Sequence, residues 1–226
     1  MKYASMLELP ELADRFEAVR RYNLWGADET PSGPGSTLAY TRELRPRLLD
    51  LLKRHQIQRL VDAPCGDLNW IADVVRRSGV QYFGFDIAPG IVERAQRQAD
   101  LVGTIKVGDI RSTRLPRADL WICRDCWFHL SFDDIFASLR NFIDSDIPLA
   151  LLTSHVNENG FKNRDIVSGD FRLMDLFAEP FDFPAGYIEA IDDWIPPWPK
   201  RRLYLWSREQ LAKCANRLDH RVERQR

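Results

Sequence analysis

The sequence lacks an excess of charge of either sign, a long apolar run and a dense set of cysteines. Its 226 residues carry 32 basic and 33 acidic side chains, so the overall charge gives no reason to expect binding to nucleic acid or to an anionic membrane surface. No apolar run approaches the roughly 18 residues of a membrane-spanning helix, and the N-terminus has no signal-peptide pattern. We therefore expect a cytoplasmic protein with no membrane span and no nucleic-acid partner.

The cysteines are too few and too scattered for a disulfide framework in a chain of this length: Cys65, Cys123, Cys126 and Cys214. Cys123 and Cys126 have the spacing of half a zinc site, but no second pair accompanies them and Cys123 lies inside an apolar segment. We expect reduced cysteines and no bound metal.

Strand-like and helix-like segments alternate between residues 57 and 154. The strand patterns lie at 57–63, 80–86, 104–109, 118–125 and 147–154, and the helical ones at 68–78, 89–99 and 132–143. This alternation indicates a parallel sheet with right-handed crossovers. Two further strands, 186–192 and 201–206, are joined too closely for a crossover and predict an antiparallel hairpin. The expected fold is α/β, with a Rossmann-like, mostly parallel seven-stranded sheet and helices on both faces.

We expect a single domain made of four consecutive parts: residues 1–56 with N-terminal helices and a loop, 57–154 as the binding core, 155–200 as an insertion over the strand ends, and 201–226 with the last strand and a helix. The insertion is rich in aromatic residues, including Trp194 and Trp198, which could line a ligand pocket. The last helix is expected over 207–218, because Ser207 and Gln210 have the spacing of a capping box.

The N-terminal part contains two predicted helices. Apolar residues recur every three or four positions over 7–22, with Pro10 near the start, and a second helix is predicted over 37–55. Pro46 marks either a kink in that second helix or a later start. The loop 25–37 between them is rich in Gly, Pro and Ser and is either a connector or a lid.

Three aspartates mark the ends of the first three predicted strands. Asp62, Asp86 and Asp109 stand 24 and 23 residues apart. Aspartate is common at strand ends and helix N-caps for structural reasons. Three aspartates at the ends of successive strands, at nearly equal spacing, instead indicate a ligand site, because parallel strands end at one edge of the sheet. A carboxylate after the second strand can bind ribose hydroxyls.

The turn after the first predicted strand contains a single glycine, Gly66. A dinucleotide-binding turn needs three, and Asp67 would oppose a pyrophosphate by charge. A nicotinamide-dependent oxidoreductase is therefore disfavoured. Carboxylates near the turn suit a ligand with adenosine at one end and an ammonium or sulfonium group at the other.

The segments VDAPCGD, YFGFDIAPGIVERA, VGDIRS and ADLWICRDCWFHLS, with TPSGPGS near the N-terminus, resemble the class I S-adenosylmethionine-dependent methyltransferases. More narrowly, they are similar to a bacterial subgroup with the motifs D-x-P-C-G-D-x-x-W and C-R-D-x-x-x-H-L-S. The resemblance covers residues 22–212. The chain departs from the family's usual glycine-rich first motif, of which one glycine remains.

The resemblance implies S-adenosylmethionine as the cofactor and assigns residues to its parts. Asp62, Cys65 and Gly66 would hold the methionine end, Asp86 the ribose hydroxyls, Asp109 and Ile110 the adenine, and the Arg124 backbone the amino group. The further expected contacts are Asp67, Ile87, Trp25, Ser32, Gly33 and Ser36.

Methyl transfer to a hydroxyl group needs an aligned acceptor and a base that takes its proton, most often histidine. His55 and His220 lie at predicted helix ends, whereas His129 and His155 follow the fourth and fifth strands. We expect His129 to be the base and Asp125 to orient it, with His155 as a second candidate. A helix-capping or core role for His129 is the alternative.

The favoured function is a methyltransferase (EC 2.1.1.-) that acts on a small molecule or a glycan, at an oxygen atom. The alternative is a non-catalytic S-adenosylmethionine-binding sensor or assembly protein, which needs the aspartates but not the base. Residues 163–165 could bind a polar acceptor or a divalent ion, although ordinary loop hydrogen bonding is the commoner role. The basic run 200–202 could attract an acidic substrate, although such a run before an edge strand is more often a solvated flank. The sequence gives no indication of the oligomeric state.

Overall fold

The computed structural model describes residues 2–98 and 103–223, with side chains through Ala215. Seven strands form one sheet in the order β3-β2-β1-β4-β5-β7-β6. The strands are β1 (Arg59–Asp62), β2 (Gln81–Asp86), β3 (Gly103–Val107), β4 (Leu120–Cys123), β5 (Leu149–His155), β6 (Glu189–Asp192) and β7 (Arg201–Ser207). The first five are parallel, and β7 runs antiparallel between β5 and β6. The predicted sheet with its antiparallel hairpin is confirmed.

Seven helices accompany the sheet: α1 (Tyr3–Leu7), α2 (Leu12–Arg21), α3 (Leu44–Arg54), α4 (Ile71–Ser78), α5 (Pro89–Gln96), α6 (Phe132–Ile143) and α7 (Arg208–Glu223). Alternate side chains of a strand point to opposite faces. Leu120 and Ile122 accordingly pack with α3, α4 and α5, whereas Trp121 and Cys123 pack with α6 and α7. Both faces of the sheet are therefore covered by helices. Within the described chain, no helix is long and apolar enough to cross a bilayer.

The N-terminal helices differ from the sequence-based prediction. The helix expected over 7–22 is two helices separated around Pro10, because proline lacks an N–H and disfavours helical geometry in the residue before it. The helix expected over 37–55 begins at Leu44, which places Pro46 in its first turn. A missing N–H costs no helical hydrogen bond there, so the later start is the correct alternative.

The start of α7 has the predicted capping box. Ser207 Oγ accepts a hydrogen bond from the Gln210 N–H at 3.2 Å, and Gln210 Oε1 accepts one from the Ser207 N–H at 2.9 Å. The two residues thus satisfy donors at the helix N-terminus reciprocally.

Helices α1 and α2 are joined to the insertion that follows β5. Tyr3 Oη donates to the Gly169 carbonyl at 2.6 Å, and Arg15 Nη1 donates to the Ser168 carbonyl at 2.9 Å. Two residues further along α2, Glu17 Oε2 accepts from the Gly90 N–H in the first turn of α5 at 2.9 Å. These bonds hold α2 in place across the end of the sheet.

Gly103 at the start of β3 is a position where only glycine is tolerated. Its φ is +146°, and a Cβ there would collide with the Tyr82 carbonyl oxygen. We expect Gly103→Ala to lower the free energy of unfolding by at least about 2 kcal/mol. Urea unfolding measures this, with Gly186→Ala as the matched control because nothing lies within 4 Å of its added Cβ. Equal stabilities of the two variants would contradict the expectation.

Candidate functional site

A cavity opens at the carboxyl ends of β1, β2 and β4. It contains about 960 Å³ of free space, its mouth included. Helix α2 forms one wall through Leu12, Phe16 and Val19, and Trp25 adds an aromatic surface beside it. The floor consists of the residues that follow the three strands, so the cavity lies where open α/β sheets bind ligands.

Most of the predicted site residues line this cavity: Trp25, Ser32, Ser36, Asp62, Cys65, Gly66, Asp86, Ile87, Asp109, Ile110, Arg124, Asp125 and His129. Three do not lie on its surface: Gly33, Asp67 and His155. Gly33 packs under Trp25, because a Cβ on it would lie 3.2 Å from the indole ring. The loop 25–37 forms part of the cavity wall, and its role as a connector or a lid stays a prediction.

Two of the lining carboxylates are buried without a cationic partner. Asp62 accepts a hydrogen bond from Tyr82 Oη at 2.6 Å, and Asp86 accepts from the N–H groups of Gly66 at 3.1 Å and Ala88 at 3.0 Å. Neither forms an ion pair with any described residue. Burial raises the pKa of Asp62 to about 7 and that of Asp86 to about 6. A cation in the cavity would therefore stabilise their ionised forms.

Asp67 does not face the cavity, which corrects its predicted role as a contact for the ligand. Its Oδ1 accepts hydrogen bonds from Thr30 Oγ1 at 2.7 Å and Ser32 Oγ at 3.0 Å, and its Oδ2 accepts from Arg94 Nε at 2.9 Å. The carboxylate is thus already neutralised by a helix α5 side chain. Its role is to join the first turn to the loop 25–37.

Asp109 is also neutralised within the protein. Arg111 donates to both of its carboxylate oxygens, at 2.6 to 3.0 Å, and reaches Asp134 Oδ1 at 2.7 Å. The neighbouring wall is apolar and contains Ile87, Ile110 and Leu130. A flat, uncharged ring suits this end of the cavity better than a charged group.

A buried network of four charged side chains borders the other end. Arg124 Nε and Nη2 donate to the two oxygens of Asp193 at 2.8 and 2.9 Å, and Arg201 Nη2 donates to Asp125 Oδ2 at 2.6 Å. Arg124 Nη2 also donates to the Gly35 carbonyl at 2.7 Å. The network joins the end of β4 to the β6–β7 hairpin and to the N-terminal loop.

The basic run 200–202 is only partly the solvated flank that was favoured from the sequence. Arg201 is buried in the charge network, whereas Lys200 and Arg202 are exposed. The sequence did contain a signal that Arg201 would be buried. Side chains alternate along a strand, so Arg201 shares one face of β7 with the buried Leu203 and Leu205.

His129 is oriented by a backbone carbonyl and not by Asp125, which corrects the predicted pairing. Its Nδ1 lies 2.8 Å from the Asp170 oxygen. Because a carbonyl only accepts, Nδ1 carries the proton and Nε2 is left with its lone pair. No described residue donates to Nε2. The ring stacks on Trp25 at a centroid distance of 4.9 Å, and burial lowers the pKa of His129 to about 4.

His155 has the opposite tautomer. The Met174 N–H donates to its Nδ1 at 3.2 Å, so the proton is on Nε2. The ring borders a second cavity and not the first. These two facts argue against the alternative in which His155 is the base. The His220 side chain lies outside the described part of the chain.

The side chains of Asn163 and Asp165 form hydrogen bonds to backbone groups of the protein. Asn163 Nδ2 donates to the Asp175 and Glu179 carbonyls, at 2.8 and 2.7 Å, and Asp165 accepts from the Phe132 N–H at 2.8 Å. The four cysteines are buried, and no disulfide joins any of them. Among the described residues, no three His, Cys, Asp or Glu side chains are grouped to hold a metal ion.

No protein-family model matches the chain, and no curated protein does. Solved structures are similar to it in fold. One, solved in work on the conversion of a disulfide bond into a thioacetal group in echinomycin biosynthesis, has a TM-score of 0.61 at 17% identity and covers 94% of this chain and 98% of its own. Magnesium protoporphyrin IX methyltransferase from Synechocystis PCC 6803 with bound SAH has a TM-score of 0.60 at 12% identity, over 83% of this chain and 92% of its own.

The N-methyltransferase NodS from Bradyrhizobium japonicum WM9 has a TM-score of 0.54 at 14% identity and covers 75% of this chain and 96% of its own. The chain shares its fold with these solved structures, two of which are methyltransferases. Sequence identities of 12% to 17% establish only the shared architecture. The chemistry has to be inferred from the residues that line the cavity.

The raised pKa of Asp62 predicts a pH dependence of stability. Between its ordinary pKa near 4 and its folded value of about 7, the folded state binds the proton more tightly than the unfolded state, so this group contributes stability that is lost as pH rises. Asp62→Asn cannot ionise. Its free energy of unfolding relative to wild type should therefore increase by up to about 1.4 kcal/mol per pH unit across this window.

Urea unfolding at pH 4.5, 5.5, 6.5 and 7.5 measures this difference. The lowered pKa values of His129 and His155 act with the opposite sign, but they are present in both proteins and cancel in the comparison. Asp73→Asn, on the exposed side of α4, is the control and should show no pH-dependent difference. A wild-type pH slope in Asp62→Asn would contradict the expectation.

Proposed function

We propose that the chain is an S-adenosylmethionine-dependent methyltransferase whose cofactor occupies the cavity at the ends of β1, β2 and β4. The observation that carries this proposal is the pair of buried carboxylates, Asp62 and Asp86, neither of which forms an ion pair with a described residue, although Arg124 acts on Asp62 from a longer distance. A ligand with a sulfonium and an ammonium group supplies the missing positive charge. A diphosphate would bring more negative charge to the same place.

The other parts of the cavity suit the rest of such a ligand. Asp86 stands at the end of the second strand, where a carboxylate can accept hydrogen bonds from ribose hydroxyls. The apolar wall with Ile87 and Ile110 accommodates the faces of an adenine ring. The solved structure of similar fold with bound SAH supports the same choice of cofactor.

His129 is the proposed general base for a hydroxyl acceptor. When bound, the cofactor supplies an electrophilic methyl group that an acceptor oxygen can displace in line. Nε2 of His129 has a free lone pair and belongs to a ring on the cavity surface. The lowered pKa keeps the imidazole neutral at pH 7, so this lone pair is available to take the hydroxyl proton.

Helix α2 and Trp25 exclude water from this reaction. Leu12, Phe16 and Val19 place an apolar surface over the strand ends, and Trp25 covers one face of the His129 ring. A dry site strengthens the electrostatic contacts inside it and protects the transferred group from hydrolysis. We propose a small molecule or a glycan as the acceptor, a cytoplasmic location and membership of the bacterial subgroup whose motifs the chain resembles.

Cofactor binding is tested by isothermal titration calorimetry with S-adenosylmethionine and with NAD. We expect wild type to bind S-adenosylmethionine, and Asp86→Asn to raise the dissociation constant at least tenfold, because the amide puts an NH₂ group where a ribose hydroxyl or a backbone N–H must donate. Asp73→Asn is the control and should bind as wild type does. Preferential binding of NAD would overturn the proposed function.

The base is tested by His129→Asn, assayed by transfer of labelled methyl groups to an acceptor found by screening sugars and other hydroxylated metabolites. We expect kcat to fall by about 10²–10⁴-fold, with the dissociation constant of S-adenosylmethionine within about threefold of wild type. His55→Gln, a histidine paired with Glu189 at the surface, is the control. Full turnover in His129→Asn would rule out this residue as the base, and cofactor binding without transfer to any acceptor would favour the non-catalytic sensor.

A further inference from the structure

A second cavity lies where the end of β5 faces the loop between β6 and β7. It contains about 690 Å³ of free space, its mouth included. One wall is the Trp194–Lys200 segment and the other is the chain that leaves β5. The two walls are fastened to each other, because the Val156 N–H donates to the Lys200 carbonyl at 2.9 Å. The cavity is therefore built by fixed backbone on both sides.

Flat apolar groups form most of its surface. Trp194 and Trp198 supply two indole rings, and three prolines stand between and beside them at positions 196, 197 and 199. Trp198 remains 44% exposed, although a tryptophan that served only to fill the core would be covered. Trp198 therefore offers an indole face on which a ring can stack, whereas Lys200 Nζ lies over the Trp194 ring, 5.4 Å from its centroid.

The rim of the cavity is polar and carries no net charge. Lys200 Nζ lies 2.6 Å from Glu158 Oε1, so these two groups neutralise each other, and Asn159 is the third polar residue. A phosphate or carboxylate bound here would meet Glu158, and an ammonium group would meet Lys200. The rim offers donors and acceptors together, which suits neutral hydroxyl groups.

A hydrogen-bond donor without a partner lies at the base. His155 is 3% exposed, borders this cavity and carries its proton on Nε2, because the Met174 N–H donates to Nδ1. No described residue accepts from Nε2. A donor on the cavity surface can form a hydrogen bond to an acceptor oxygen of a ligand, so the base of the cavity suits such an oxygen.

We propose that this second cavity binds part of the methyl acceptor, and that this part is a neutral ring with several hydroxyl groups, such as a sugar residue, standing next to the group that receives the methyl. The acceptor role rests on the proposed function. The Trp198 indole would stack on the ring, and His155 and the rim would bind its hydroxyls.

The position of the second cavity relative to the first supports this role. The His129 and His155 rings each lie against the same two phenyl rings, with centroid distances of 4.7 and 5.2 Å to Phe128 and 5.7 and 6.3 Å to Phe171. The base and the proposed acceptor site are therefore separated by a thin aromatic wall. Phe171 is 44% exposed and forms the part of this wall nearest solvent.

The test uses saturation-transfer NMR on the full chain with methyl glycosides of glucose, galactose, mannose, rhamnose and N-acetylglucosamine. We expect saturable binding of at least one of them. Trp194→Ala and Trp198→Ala should each weaken that binding at least tenfold, with S-adenosylmethionine binding unchanged. Tyr22→Ala, which removes an exposed aromatic residue outside both cavities, is the matched control and should bind as wild type does.

A tetrasaccharide that ends in the bound sugar separates the two sources of the ring. Tighter binding of the tetrasaccharide than of the methyl glycoside indicates a glycan terminus, and equal or weaker binding indicates a free sugar derivative. Transfer of labelled methyl from the cofactor to a larger glycoside or oligosaccharide that carries the bound sugar completes the support for the acceptor role.

Three results would overturn the proposal: no saturable binding of any glycoside, binding that survives both tryptophan substitutions, or tighter binding of phenol than of every glycoside. The thermal midpoint of each variant shows that it is folded. Failure of wild type to bind S-adenosylmethionine would instead overturn the proposed function, whatever the glycosides do, so the two failures are distinguishable.

Discussion

The carboxyl edge of the sheet is held together by the buried network in which Arg124 pairs with Asp193 and Arg201 pairs with Asp125. These residues come from the end of β4, from the residue after β6 and from the start of β7, and Arg124 also binds the Gly35 carbonyl. Loss of one member would leave a buried charge unpaired, at a cost of about 3–5 kcal/mol. The hairpin and the N-terminal loop therefore take fixed positions around the first cavity.

This network also explains why the remaining carboxylates are informative. Asp125 is paired by Arg201, Asp109 by Arg111 and Asp67 by Arg94. The protein thus neutralises most of the acidic groups that gather at the strand ends and leaves Asp62 and Asp86 without an ion pair among the described residues. The location of these two defines where the positively charged part of a ligand belongs, and the His129 ring stands on the same surface.

Periodicity and strand-end chemistry made the sheet, its hairpin and the α7 cap predictable, because each depends on residues close together in sequence. The positions of Asp62 and Asp86 followed from the sheet. The partners of Asp67 and Asp125 did not, since Arg94 and Arg201 approach them only after the chain has folded. The orientation of His129 could not be predicted either. The backbone carbonyl of Asp170 fixes it, and a backbone carbonyl does not depend on the type of side chain. Arg201 could have been recognised by its place between apolar residues of β7.

Helix α2, the Trp25 loop and the insertion after β5 supply walls to the two cavities, yet residues 2–43 and 156–188 of the described chain contain none of its seven strands. Apart from the Arg124 bond to the Gly35 carbonyl, the sheet and its charged edge are formed without those walls. The wall of the second cavity at residues 196–200 is exposed and carries none of the residues that line the first cavity. Under the proposed function, changes in residues 196–200 are then a route by which one donor site acquires new acceptors, with the cost of each change confined to a surface segment.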